Sequence, residues 1–191
     1  MNLLVLGPQG AGKGTQAKRV SDEYNVPHVS TGDMFRAAQA EGTGFGKQVG
    51  AIMESGKLVP DELTIAMIAE RLSQPDAQEG FVLDGFPRNL AQASALDVML
   101  GGIGRGLDAI LFFNIPDDVG MQRALDRAKL EGRADDTPDV IAKRLEVYHA
   151  ETEPIIEHYR ATGKLVPLHA ERTIDQVWAE VSEALQQLVA A

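Results

Sequence analysis

Nine residues near the start of the chain, Gly7-Pro8-Gln9-Gly10-Ala11-Gly12-Lys13-Gly14-Thr15, include four glycines, a lysine and a threonine. The spacing is G-x-x-x-x-G-K, with the threonine one place beyond the usual Ser/Thr position. Glycines let backbone N–H groups turn inward around an anion, a helix start adds a favourable field, and a lysine supplies a point charge. That combination binds the phosphates of a nucleoside triphosphate. An incidental glycine-rich turn is the competing explanation, and the run's place between an apolar stretch and a helical one weighs against it. A second group, Phe81-Val82-Leu83-Asp84-Gly85-Phe86-Pro87-Arg88, ends an apolar run with an acid and an arginine. An aspartate there can orient Mg²⁺ through its water shell, or simply cap the next helix. At Ser30-Thr31-Gly32-Asp33-Met34-Phe35-Arg36 a helix-capping turn precedes an arginine. Of 11 arginines, Arg123, Arg127, Arg133 and Arg144 fall in or beside a polar stretch at 127–139. Arg123 and Arg127 are one helical turn apart, and guanidinium groups gathered near glycine-rich turns suit polyanions.

These groups need elements to hold them. Five short apolar runs, 2–6, 27–29, 80–83, 109–115 and 165–168, alternate with helical patterns at 13–24, 33–39, 61–72, 91–100, 119–129 and 138–161. A closing amphipathic helix is spaced by Ile174, Val177, Val181, Leu185 and Leu188. Near-continuous apolar strands alternating with helices predict an α/β domain around a parallel sheet. Two stretches interrupt the alternation. The segment 30–59 has helical pieces broken at Gly42-Thr43-Gly44-Phe45-Gly46 and at Gly56. The polar stretch ends in Thr137-Pro138, the pattern of an N-cap followed by proline in the first turn.

The 191 residues are about one domain's worth. A formal charge of -10 argues against a nucleic-acid polymer as partner. The absence of cysteine excludes disulfides, thiolate catalysis and cysteine-ligated zinc, and points to the cytosol. The four histidines are scattered, and the first apolar run is too short for a signal peptide or a membrane span. Asn114-Ile115-Pro116-Asp117 lacks the lysine of a guanine-reading motif, so a GTPase switch is disfavoured.

Taken together these motifs resemble the adenylate kinase family over essentially the whole chain. The phosphate loop matches apart from Pro8-Gln9, where that family usually has x-Pro, and Phe81 to Gln92 matches its signature throughout. The resemblance implies a P-loop three-layer α/β/α fold with a five-stranded parallel sheet. It adds a helical NMP-binding insertion at 30–59 and a short lid at 127–137. It implies reversible phosphoryl transfer from MgATP to AMP, giving two ADP, with Mg²⁺ as the only cofactor. ATP would be held by Gly10, Ala11, Gly12, Lys13, Gly14, Thr15, Arg127 and Arg172, the last through its backbone carbonyl. AMP would be held by Thr31, Arg36, Lys57, Leu58, Val59, Gly85, Phe86, Pro87, Arg88, Gln92, Arg133 and Arg144. Lys13, Arg88, Arg123, Arg133 and Arg144 would be catalytic, and Asp84 would hold Mg²⁺ through water, with Asp135 and Asp136 as further acids near the arginines. Thr31 and Gln92 favour AMP over the acceptors of uridylate/cytidylate kinases, which remain the alternative of the same fold. A non-catalytic ATP-binding module is the other alternative. Only five residues separate Arg127 from Arg133, so the lid would be small, and without cysteines it would carry no zinc. The expected partners are ATP, AMP and ADP, with no nucleic acid and no membrane, and the expected state is a monomer.

Overall fold

The computed structural model describes residues 1–131 and 137–190. Five strands, β1 (Asn2–Leu6), β2 (His28–Ser30), β3 (Phe81–Asp84), β4 (Ala109–Asn114) and β5 (Leu165–His169), form one parallel sheet in the order β2-β3-β1-β4-β5. Each strand therefore ends at the same edge, where open α/β folds bind ligands. Alternate residues of β1 supply both faces of the sheet. Leu3 and Val5 pack under α1 (Lys13–Tyr24) and the last helix, α9 (Ile174–Ala190), through Ala17, Val20, Val177, Val181 and Leu185. Leu4 and Leu6 face α4 (Asp61–Leu72), α5 (Leu90–Gly102) and α8 (Pro154–Arg160) through Ile68, Leu96, Leu100, Ile155 and Tyr159. This is the expected three-layer arrangement, and the alternation follows from the period-2 geometry of a strand.

The opposite ends of the strands are fastened to one another. Met1 N donates to the Glu79 carbonyl at 2.9 Å, Asn2 N to Asp108 Oδ2 at 2.6 Å, and Lys164 Nζ to the Leu107 carbonyl at 2.8 Å. Arg105 Nη1 reaches the Ala77 carbonyl at 3.0 Å. These bonds satisfy backbone groups that the parallel pairing leaves open at the strand starts.

In the segment 31–59 the helical pieces break at the glycine run and again around Gly56. After α2 (Thr31–Ala40) the chain turns through 41–43, and α3 (Gly44–Glu54) begins within the glycine run, capped by Thr43, whose side chain accepts from Gly46 N at 3.0 Å. Close packing explains Gly46. A Cβ on Gly46 would lie 1.9 Å from the Ala38 carbonyl oxygen, so only glycine lets α3 approach α2 this closely. The pair encloses its own small core of Phe35, Val49 and Val59.

The stretch expected as one helix from 138 to 161 is three pieces: α7 (Pro138–Val147), a π-helical turn (Tyr148–Thr152) and α8. Pro154 lacks the N–H that would continue the regular ladder, which accounts for the widened turn before it. Thr137 caps α7 with its side chain accepting from Val140 N at 3.4 Å, as Thr137-Pro138 suggested. Remaining is α6 (Asp117–Glu131), which follows β4. Among the described residues no helix is long and apolar enough to cross a membrane.

Candidate functional site

A cleft of about 930 Å³ opens at the strand ends and collects residues from the loops after β1, β2, β3 and β5 and from α6. On one side lies the glycine loop after β1. Gly12 adopts φ 80° at the start of α1, and no side chain caps that helix. The first N–H groups of α1 and its dipole therefore face the cleft, the arrangement that binds anions. Gly10 has φ 80°, and a Cβ on it would lie 2.0 Å from the Gly120 carbonyl oxygen, so the loop rests directly on α6.

Lys13, the first residue of α1, donates its Nζ to the carbonyls of Gly7 and Pro8 at 2.8 Å each. The side chain is half-buried by area, yet its ammonium is closely walled by protein atoms, and that packing governs its hydration. Burial pulls its pKa down from 10.5 to about 8; Asp84 opposes the shift, while Arg88 and Arg127 add to it.

Asp84 ends β3 and stands beside the loop, its Oδ2 3.5 Å from the Cβ position of Gly14. His28, on the neighbouring strand β2, lies 3.3 Å from the same oxygen. Burial pushes the Asp84 carboxyl upward, but the His28 hydrogen bond and the charges of Lys13, His28 and Arg88 outweigh it and hold the group ionised below the usual range.

Arg88 is held at three points. Its Nε donates to the Gly85 carbonyl at 2.8 Å, its backbone N–H donates to Gln92 Oε1 at 2.8 Å, and its carbonyl accepts from Thr152 Oγ1 at 2.7 Å. Among the described residues no carboxylate forms an ion pair with it. Burial lowers its pKa, the Arg144 and Arg36 cations push the same way, and Asp84 opposes them. Such a cation is under-compensated, which is the electrostatic condition of an anion site. Arg36 pairs with Asp33 at 2.5 Å, and Arg144 donates to the Met53 carbonyl at 3.1 Å, tying α7 to α3.

Most of the residues named from the sequence line this cleft. Gly10 to Thr15, Arg36, Lys57, Leu58, Val59, Asp84, Gly85, Pro87, Arg88, Gln92, Arg123, Arg127, Arg144 and Arg172 do so. Thr31 and Phe86 sit behind its wall. The Thr31 hydroxyl donates to the Gly85 carbonyl at 2.8 Å, and Phe86 is fully buried in the sheet core. Arg123 reaches the turn after β5, where its guanidinium donates to the carbonyls of Ala170, Glu171 and Arg172 at 2.6, 2.7 and 3.2 Å. The Arg172 carbonyl expected to meet a base thus accepts from Arg123 here. Arg133, Asp135 and Asp136 lie outside the described residues.

Three participants were not singled out from the sequence. His28 pairs with Asp84, Asp61 accepts from Gln92, and Thr152 holds the Arg88 carbonyl. Only Thr152 carried a local signal, lying next to Glu153-Pro154 in a long helical run. Its replacement by valine keeps the shape and leaves the Arg88 carbonyl without its donor, which costs about 1–3 kcal/mol when such a group is buried. Thr152→Val is expected to lower kcat about tenfold, with Thr152→Ser restoring it; unchanged kcat in the folded valine variant would refute this.

The adenylate kinase family model matches residues 5–164. A protein named adenylate kinase from a Cyanothece species is 48% identical over 186 residues, covering 97% of this chain and 95% of the relative. Its namesake in Parvibaculum lavamentivorans is 47% identical, covering 97% and 92%. One from Stenotrophomonas maltophilia is 43% identical, covering 97% and 100%.

Proposed function

The chain belongs to the adenylate kinase family and is an ATP:AMP phosphotransferase; we propose that its cleft seats the two phosphate groups as follows. The donor triphosphate lies on the glycine loop from Gly10 to Thr15, with Lys13 on its transferred end. The acceptor phosphate lies on Arg36 and Arg88, with the AMP base toward Gln92 and the backbone of 57–59. Arg123, Arg127 and Arg144 close on the phosphates, together with Arg133. The segments 30–59 and 127–137 act as flaps that exclude water, which would otherwise be the acceptor.

One observation carries this proposal: a single cleft holds two cationic seats, Lys13 at the uncapped start of α1 and the under-compensated Arg88. In the reaction the bond between the γ-phosphorus and the β–γ bridging oxygen of ATP breaks. A bond forms from the γ-phosphorus to an AMP phosphate oxygen, and ADP leaves with the bridging oxygen. The acceptor oxygen is already anionic, so no side chain has to remove a proton. The protein's tasks are alignment and charge stabilisation.

Mg²⁺ fits the ionised Asp84, which faces the phosphate loop, with Thr15 also in the cleft. Bound with the triphosphate, the ion would neutralise β- and γ-phosphate charge, with Asp84 holding its water shell. One chain supplies the whole set of residues, which supports a monomer. The cysteine-free composition supports the cytosol, and the acidic net charge supports small nucleotides rather than nucleic acid.

ADP formation from ATP with AMP, GMP, CMP or UMP, with and without chelation of Mg²⁺, tests the assignment. AMP is expected to exceed both pyrimidine nucleotides by about 100-fold or more in kcat/KM, and chelation to abolish turnover. A pyrimidine preference would overturn it.

A further inference from the structure

We propose that Asp61 is a positioning residue that makes the acceptor pocket choose adenine over guanine, by fixing which way round the Gln92 amide stands. It rests on the placement of the AMP base given above and adds a residue outside the set read from the sequence.

Gln92 is only 2% exposed. Its Nε2 donates to Asp61 Oδ1 at 2.7 Å, and its Oε1 accepts from the Arg88 backbone N–H at 2.8 Å. The two ends of a glutamine amide have nearly the same shape, so partners alone decide its orientation. A backbone N–H can only donate, and an ionised carboxylate can only accept. With these two partners the oxygen must face Arg88 and the nitrogen must face Asp61; the turned-over amide would set donor against donor and acceptor against acceptor.

The carboxylate is itself held in place. Asn89 Nδ2 donates to Asp61 Oδ1 and Oδ2 at 3.0 and 3.2 Å, while Asn89 Oδ1 caps α5 by accepting from Gln92 N at 2.9 Å. Asp61 opens α4 and Asn89 precedes α5, so two rigid helix starts carry the arrangement.

Each end of the Gln92 amide spends one hydrogen-bonding position on this network, leaving one N–H and one oxygen lone pair. Adenine presents a donor, its amino group, beside an acceptor, its ring N1. Guanine presents the reverse order, an acceptor O6 beside the N1–H donor. A glutamine free to turn over could pair with either. One locked by Asp61 and Arg88 matches only adenine while Arg36 and Arg88 hold the phosphate and prevent the base from reversing. A charged acceptor strengthens the bond enough for Asp61 to bias the two orientations about tenfold or more.

The simpler role for Asp61 is an acidic residue at a helix N-terminus that ties α4 to α5. That role would change stability and leave base choice untouched. The test therefore reads kcat/KM for AMP and for GMP, with the KM for ATP and thermal unfolding alongside. Asp61→Ala is expected to lower the AMP:GMP ratio about tenfold and to raise the KM for AMP, with the KM for ATP within about twofold. Asp61→Asn, whose carbonyl can still accept from Gln92, is expected to recover most of the ratio. An unchanged ratio in folded Asp61→Ala overturns the proposal. If that variant does not fold, Asp61→Ser is read in its place with the same deciding outcome. Wild-type enzyme that fails to prefer AMP would instead refute the base placement on which the proposal rests.

Discussion

Arg88→Ala is expected to lower kcat by about 10³-fold, which corresponds to roughly 4 kcal/mol of lost transition-state stabilisation. The effect is large because the guanidinium is already in position. Its Nε is bonded to the Gly85 carbonyl, and its backbone is held by Gln92 and Thr152, so little reorganisation remains when charge moves between phosphates. The low-dielectric wall that strengthens its pull on a phosphate also makes the cation costly when no anion is bound. Stability should respond in the opposite direction to activity. Removing a buried cation that Arg144 and Arg36 repel is expected to leave Tm unchanged or raised, a trade common at active sites. Arg88→Lys keeps the charge but loses the planar fork, and a loss of at least about tenfold is expected from it too. Near-normal turnover by the alanine variant, measured as ADP formation, would refute the role.

Lys13→Met carries the second large effect, a fall in kcat/KM for ATP of about 10²–10³-fold. The wild-type enzyme should betray the same group through pH. Burial lowers the folded-state pKa from 10.5 to about 8, so the ammonium is present below that value and lost above it. In the wild type, kcat/KM for ATP should fall about tenfold per pH unit above about pH 8. The corresponding limb in kcat should lie higher, because a bound phosphate favours the charged form. For stability the sign reverses. Between about pH 8 and 10.5 the unfolded chain holds a proton on Lys13 that the folded chain has released, so folding gains stability as pH rises through that window. Near neutral pH both states are charged, and the folded state bears the full desolvation cost. The wild type should therefore gain Tm relative to Lys13→Met between pH 7 and pH 9.5. A pH-independent difference, or an alkaline limb that persists in the methionine variant, would show that another group titrates.

The parts of the site legible in the sequence are those made by neighbours along the chain. Gly7 to Thr15 announces itself because loop, lysine and helix start are contiguous, and Thr137-Pro138 because a cap and its helix adjoin. The five strands were legible because both faces of the sheet are covered, which makes each strand an unbroken apolar run. The parts with no signature in the sequence depend on contacts across space. His28 meets Asp84 because β2 lies beside β3, and Asp61 meets Gln92 because α4 and α5 begin side by side. Neither pair has a spacing that a linear pattern could reveal. The glycines of 42–46 mark the break between α2 and α3, but the close approach that requires one of them, Gly46 against Ala38, involves a second helix and has no linear signature. Pro138 to Ala161 reads as one helix because the apolar spacing continues across the π turn, even though the hydrogen-bond ladder changes there.

The fastening of the strand starts, from Met1 to Lys164, has a practical consequence. All the reactive loops leave one edge of the sheet, so the connections at the other edge carry structure and no chemistry. That edge is where the chain could be opened, lengthened or attached to a support without disturbing a nucleotide. The connection after α5, where an added Cβ on Gly102 or Gly106 would meet nothing within 4 Å, is an accommodating place for such a graft. The bonds at Asn2, Asp108 and Lys164 must be left in place, because they hold the strand starts to one another. A handle on that quiet side would leave every residue of the cleft untouched.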